Sequence, residues 1–272
     1  MDPSSLELTG SMAPNADGGV WSTTEVSDDT LTIAADSRWN ASGPGTLVID
    51  ASDLAGRPLS TILLTYPIRI RLSTFQRASV VMGQTDFSGK LANQGDAATA
   101  NTFALPHSMV YEGGTLYVSD YSNSRILRFG GIPTSNGASA DFVLGQPDFL
   151  STAAGADADQ LSGPEQLASD GTRLAVAEWG NRRVTIHDAL PTSGPAMADV
   201  VVGQSDFGLN VEACTAAGAD QLEGVVIADG KLIVSQWSNR RILIWNTIPD
   251  TNGEPADIVL GQSDRSNHFR PG

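Results

Sequence analysis

The chain has 272 residues, a formal net charge of −15 and one cysteine, enough length for one or two domains. Its acidic balance, with Lys90 and Lys231 as the only lysines, argues against a nucleic-acid partner, because phosphate affinity needs clustered Lys and Arg. A lone Cys214 excludes an intrachain disulfide and a cysteine-based zinc site, and no run reaches the ~20 apolar residues that a membrane-spanning helix needs.

Met1-Asp2-Pro3-Ser4 opens the chain without a basic region and apolar core, so no secretory signal is expected in it. Residues 1–68 form a first segment. Thr30–Ile33, Gly45–Asp50 and Ser60–Thr65 read as strands between Gly, Pro, Asn and Asp turns. Residues 69–272 form a second segment with a different organisation, an internal repeat. Gly-Gln-x-Asp occurs at Gly83, Gly145, Gly203 and Gly261, spaced 62, 58 and 58 residues. An aromatic-x-Asn-x-Arg motif runs Tyr121-Ser122-Asn123-Ser124-Arg125, Trp179-Gly180-Asn181-Arg182-Arg183 and Trp237-Ser238-Asn239-Arg240-Arg241, again 58 apart. The four extra residues of the first spacing fall in the connector at 88–102.

Each period predicts four short strands. In the first unit these are Ser108–Tyr111, Leu116–Ser119, Ile126–Phe129 and Asp141–Leu144. Gln166–Ala168, Leu174–Ala177, Val184–Ile186 and Val200–Val202 make the second, and Val225–Ile227, Leu232–Ser235, Ile242–Ile244 and Ile258–Leu260 the third. A leading outer strand is expected to end near Phe87. No stretch of this region keeps a helical period. The expected fold is therefore all-β: a partial or open β-propeller of three complete four-stranded units plus a leading strand, behind a β-sandwich-like segment.

The pattern Pro106-His107-Ser108-Met109-Val110 through Asp120-Tyr121-Ser122-Asn123-Ser124-Arg125-Ile126-Leu127 resembles the NHL repeat, and Gly145-Gln146-Pro147-Asp148-Phe149 resembles its bacterial members. NHL propellers commonly have six blades, so the resemblance implies a fragment, a ring closed with partners or by self-association, or an open array. A piece of a longer bacterial secreted or surface protein is the favoured expectation. Leu47 to Gly56, ending in an Asp-x-x-Gly turn, resembles bacterial immunoglobulin-like modules, with Arg57 where Asn is usual. A degenerate first blade is the rival, since Gly45-Thr46-Leu47 echoes Gly114-Thr115-Leu116.

Recurrent residues supply the candidate sites. Asn123, Asn181 and Asn239 suit tight turns. Arg125, Arg183 and Arg241 can fork onto carbonyls or onto a carboxylate of the neighbouring blade. The acidic position drifts from Asp120 to Glu178 to Gln236, which speaks against a shared catalytic carboxylate. Asp86, Asp148, Asp206 and Asp264 read as turn caps, with calcium ligation the alternative. Tyr121, Trp179 and Trp237 share one position in the link between second and third strands, either as packing between blades or as a ring of ligand-binding anchors. His107, Glu165 and Glu223 share another, at the start of the innermost strand. They are either solvated rim residues or ligands for a divalent metal at the channel mouth. In the amidating-lyase branch of NHL propellers metals occupy the channel, although this chain holds only His107, His187 and His268.

The leading functional expectation is a non-enzymatic extracellular interaction module that binds a protein, peptide or glycan through one propeller face. A metal-dependent lyase or hydrolase, and a structural spacer, are the alternatives. No Gly-x-Ser-x-Gly elbow, P-loop or His-Glu-x-x-His is present.

Overall fold

A computed structural model describes residues 77–262 and, N-terminal to them, the backbone of five strands. The chain divides into two compact units, Met1–Arg77 and Ala78–Gly272. In the first, β1 (Leu6–Leu8), β4 (Gly45–Ile49) and β5 (Ile62–Tyr66) form an antiparallel sheet in the order β1-β4-β5, and β2 (Ala16–Trp21) pairs with β3 (Leu31–Ala35). The Asp-x-x-Gly turn that carries the immunoglobulin-like resemblance lies outside the described residues, as do Asp264 and His268.

The second unit contains three four-stranded antiparallel meanders. They are β6 (Pro106–Glu112) to β9 (Phe142–Leu144), β10 (Pro164–Ser169) to β13 (Val200–Val202), and β14 (Leu222–Ala228) to β17 (Ile258–Leu260). Between these outer members lie β7 (Thr115–Asp120), β8 (Arg125–Phe129), β11 (Leu174–Glu178), β12 (Arg183–His187), β15 (Lys231–Gln236) and β16 (Arg241–Trp245). The sheets are the blades of a partial propeller that is not closed among the described residues.

The blades bury apolar surface against one another. Leu174 and Val176 of blade 2 face Tyr117, Ile126 and Leu144 of blade 1. Ala175 and Ala177, on the opposite face of the same strand, meet Leu222, Val225 and Leu232 of blade 3. Side chains alternate across a strand, so a blade covered on both sides has continuously buried strands. β11 and β12 are buried throughout, whereas β16 alternates buried and open positions because blade 3 meets a described blade on one side only.

The leading strand expected before Phe87 does not form: residues 78–87 carry no strand. An outer strand pairs with the third strand of its own blade, and no such strand lies beside this segment among the described residues. Val81 instead donates its N–H to Asn136 Oδ1 at 3.0 Å and accepts from the Gly137 N–H at 3.0 Å. The connector that follows holds a short 3-10 turn at Ala92–Gly95.

The recurrent Gly-Gln motif follows the outer strands β9, β13 and β17, and its first copy, at Gly83, follows the segment without a strand. Gly83, Gly145, Gly203 and Gly261 have φ between 78° and 89°, a left-handed conformation that glycine adopts without a Cβ penalty. A Cβ on Gly145 would lie 2.6 Å from Leu161, and one on Gly203 2.7 Å from Ala219. Space as well as conformation therefore demands glycine. The following glutamine is a clamp. Gln146 Nε2 donates to Ser124 O and Ala153 O, both at 2.8 Å, and Gln204 Nε2 donates to Arg182 O at 3.0 Å and Val211 O at 2.9 Å.

Candidate functional site

The link between second and third strands is built on a buried polar clamp that recurs in all three blades. In blade 2, Arg183 and Glu178 have fully buried side chains and meet at 2.8 Å. Arg183 also donates to the carbonyls of Ala156, Asp157 and Gln160, in the connector that leads into its own blade. Asn181 Nδ2 donates to Glu178 Oε2 at 2.7 Å and to Gly155 O at 2.7 Å, and the Ser162 N–H donates to Glu178 Oε2 at 3.0 Å. Burial pushes the Glu178 carboxyl up, against the opposing pull of Arg183. Blade 1 repeats the arrangement with Arg125 Nε on Asp120 Oδ2 at 2.9 Å and Arg125 Nη2 on the carbonyls of Thr99 and Thr102.

In blade 3 the acceptor is neutral: Gln236 Oε1 takes Arg241 Nε at 2.9 Å and Asn239 Nδ2 at 2.8 Å. The Asp–Glu–Gln drift thus keeps an acceptor oxygen while dropping a charge. The carboxylate belongs to the arginine's own blade, which corrects the expected pairing to a neighbouring blade. The geometry is local: the arginine opens the third strand and the acceptor ends the second, in direct register (Glu178 with Arg183, Gln236 with Arg241).

The clamp projects the recurrent aromatics. Their backbone N–H groups dock on the residue before the innermost strand: Tyr121 on Leu105 O at 2.9 Å, Trp179 on Gly163 O at 3.0 Å, Trp237 on Gln221 O at 3.0 Å. The Tyr121 ring lies over Gly163 of the next blade, where a Cβ would stand 2.9 Å from it. Trp179 and Trp237 approach with ring centroids 5.9 Å apart and planes tilted by 43°, and Trp237 is 60% exposed.

His107, Glu165 and Glu223 each fall where the register between the first two strands of their blade shifts (Pro106/Met109, Pro164/Gln166, Leu222/Gly224). Such bulges re-aim side chains away from the regular pleat. His107 Nδ1 meets Glu165 Oε1 of the next blade at 2.7 Å, and the His107 ring stacks on Tyr121 with centroids 4.7 Å apart. Burial, followed by the Glu165 charge, raises the Tyr121 hydroxyl above its ordinary pKa. The structure therefore joins His107, Glu165 and Tyr121, and brings Trp179 to Trp237. It does not gather Glu223 with His107 and Glu165: among the described residues no group of three or more His, Cys, Asp or Glu side chains is placed to hold a metal ion.

Asp86 and Asp148 cap turns through Oδ1, accepting from the N–H groups of Ser88 and Gly89, and of Leu150 and Ser151. Those bonds, with the Ser88 and Ser151 side chains first, hold both carboxyls below the usual range.

Sequence reasoning missed two links between blades. Ser108 Oγ accepts the Leu167 N–H at 3.1 Å, and Gln166 Oε1 accepts the Val225 N–H at 3.1 Å. The positions are 58 residues apart, but a Ser–Gln pair gives no recognisable motif.

No family model matches the chain, and no curated protein matches it. Among solved structures it is similar to a chain of the nidogen/laminin complex, at 14% identity and TM-score 0.37 over 61% of this chain and 51% of that one. It is also similar to Kuenenia stuttgartiensis hydrazine synthase, at 13% identity and TM-score 0.38 over 58% of this chain and 36% of that one. The Swd1 β-propeller domain of Myceliophteria thermophila gives 13% identity and TM-score 0.28, over 86% and 57%. The chain spans about half the length, or less, of the first two. At these TM-scores the likenesses carry nothing about function, and the blade architecture stands on the sheets themselves.

Proposed function

We propose that this chain is a non-enzymatic interaction module, presenting one propeller face to a protein or peptide ligand. The observation that carries the reading is the aromatic row: a buried clamp in each blade holds Tyr121, Trp179 and Trp237 at one position, with Trp237 60% exposed. Trp and Tyr supply large contact area at low entropic cost and dominate binding hot spots. Glu165 beside Tyr121 adds an anionic edge to an acidic molecule, which favours ligands with basic groups and speeds their encounter at low salt. The bacterial Gly-Gln-x-Asp-Phe pattern, and the immunoglobulin-like resemblance of residues 1–68, support placement in a secreted or cell-surface protein.

Peptide and glycan arrays probed with the full chain, and with the Trp179→Ala/Trp237→Ala variant, test this. Peptide features bound by the parent and lost in a variant that melts normally are the expected result. Binding unchanged by the double substitution, or confined to glycans, overturns the peptide reading. A variant that no longer folds assigns the tryptophans to packing between blades.

A further inference from the structure

The three blades differ in how the loop between third and fourth strands meets the outer strand that precedes it. In blade 3 this loop reads Pro249-Asp250-Thr251-Asn252-Gly253. Asn252 Oδ1 accepts the Val201 N–H at 3.0 Å, and the Gly253 N–H donates to Val201 O at 2.9 Å. Asn136 and Gly137 of blade 1 make the same two bonds to Val81. An Asn-Gly latch thus takes both outward backbone groups of one valine on the neighbouring edge.

Blade 2 reads Pro191-Thr192-Ser193-Gly194-Pro195. Gly194 has no side-chain acceptor, and Pro195 has no N–H to donate. The valine in question is Val143 on β9, which sits opposite Leu127 as Val201 sits opposite Thr185. Among the described residues none takes the latch position on Val143. A cleft of about 780 Å³ lies there instead, lined by Phe142, Val143, Phe149, Gly194 and Pro195. Leu150 and Met197, each adjacent in sequence to a lining residue, are 68% and 63% exposed.

We infer that the β9 edge is a docking slot for an extended segment of a partner polypeptide that carries a basic side chain. The sister latches show what chemistry the slot takes: one acceptor for the Val143 N–H and one donor for its carbonyl, as an added strand supplies. The lining contains Asp141, Asp148 and Asp159 and no Lys, Arg or His. Asp141 is paired with Arg128 at 2.7 Å, so Asp148 and Asp159 are the anionic groups that a ligand Lys or Arg meets. Phe142, Phe149 and Pro195 form the apolar walls for its alternate side chains. The slot is built by β9 and the 190–196 loop, and is separate from the aromatic row.

The test is selection of a phage-displayed random dodecapeptide library on the full chain, counter-selected on Gly194→Asn/Pro195→Gly, which installs the sister latch. Selected peptides are synthesised and titrated by fluorescence anisotropy. Enrichment of alternating β-branched residues with at least one Lys or Arg is expected, with binding weakened at least ~10-fold by the latch variant. N-methylation of the peptide's central amides is expected to weaken binding to the unmodified chain by a similar factor, a readout that needs no protein variant. Lys/Arg→Glu in the peptide is expected to do the same. Peptides that bind the latch variant equally well, or tolerate backbone methylation, overturn the proposal. So does a concentration-dependent dimer that the latch variant abolishes, which would assign the slot to a second copy.

Discussion

Arg183→Met is the sharpest perturbation of the clamp. The arginine side chain is fully buried and donates to the Glu178 carboxylate and three backbone carbonyls. Methionine fills much of the volume but leaves Glu178 as a buried charge whose remaining donors are Asn181 Nδ2 and the Ser162 N–H. Breaking a buried ion pair by removing one partner costs about 3–5 kcal/mol, a large share of the ~5–15 kcal/mol that hold a domain together. Glu178→Gln should behave differently, because blade 3 already runs the same clamp on Gln236. Arg183 keeps its carbonyls, Asn181 and Arg183 can share one amide oxygen, and the main loss is an acceptor for the half-buried Ser162 N–H, worth about 1 kcal/mol. Urea denaturation followed by intrinsic fluorescence gives both values. A cost below ~1 kcal/mol for Arg183→Met, or equal costs for the two variants, would contradict a clamp held by the buried Arg183 charge.

Two further predictions concern blade 2. Thr185 Oγ1 is buried with no hydrogen-bond partner among the described residues, and its side chain lies on the face where Val176 packs against blade 1. Thr185→Val removes that desolvated hydroxyl, so the urea midpoint should rise, by about 1 kcal/mol in stability. His187 is buried, and burial pulls its pKa from 6.5 to about 4. The unfolded chain therefore binds more protons between these values. His187 holds no penalty above pH 6.5; on acidification stability falls through the window and levels off below about pH 4. The loss is on the order of 3 kcal/mol. His187→Phe, which copies Phe129 of blade 1, should flatten that part of the pH–stability curve relative to the parent; identical curves would contradict the assignment.

The blade units were legible because a 58-residue spacing writes itself into the chain through residues with one steric solution. The left-handed Gly145 and Gly203, packed on Leu161 and Ala219, are of this kind. The clamp was half legible: Arg183 and Asn181 recur unchanged, but its direction was not, because a spacing cannot tell an own-blade carboxylate from a neighbour's. Its drifting acceptor became intelligible only when Gln236 was seen to accept the same two donors as Glu178. The glutamine of Gly-Gln-x-Asp was visible as a repeat, yet its bonds reach to carbonyls that carry no residue signature. The expected strand before Phe87 failed because pairing depends on a partner strand, which no local pattern encodes. Of the candidate site, the shared positions of Tyr121, Trp179 and Trp237 were readable. The His107–Glu165–Tyr121 contact was foreshadowed by the 58-residue register alone, and Glu223 shares that register without joining the contact.

Iodide quenching of tryptophan fluorescence, with and without an array-selected peptide ligand, reports directly whether the aromatic row is the binding surface. Trp237 is 60% exposed while Trp245 is buried, so Trp237 should supply much of the quenchable emission of the repeat region. Saturating ligand should lower quenching in the parent, and Trp237→Ala should remove the share of quenching that Trp237 supplies together with its protection. Saturable ligand binding that leaves the quenching of the parent unchanged would contradict binding through the aromatic row.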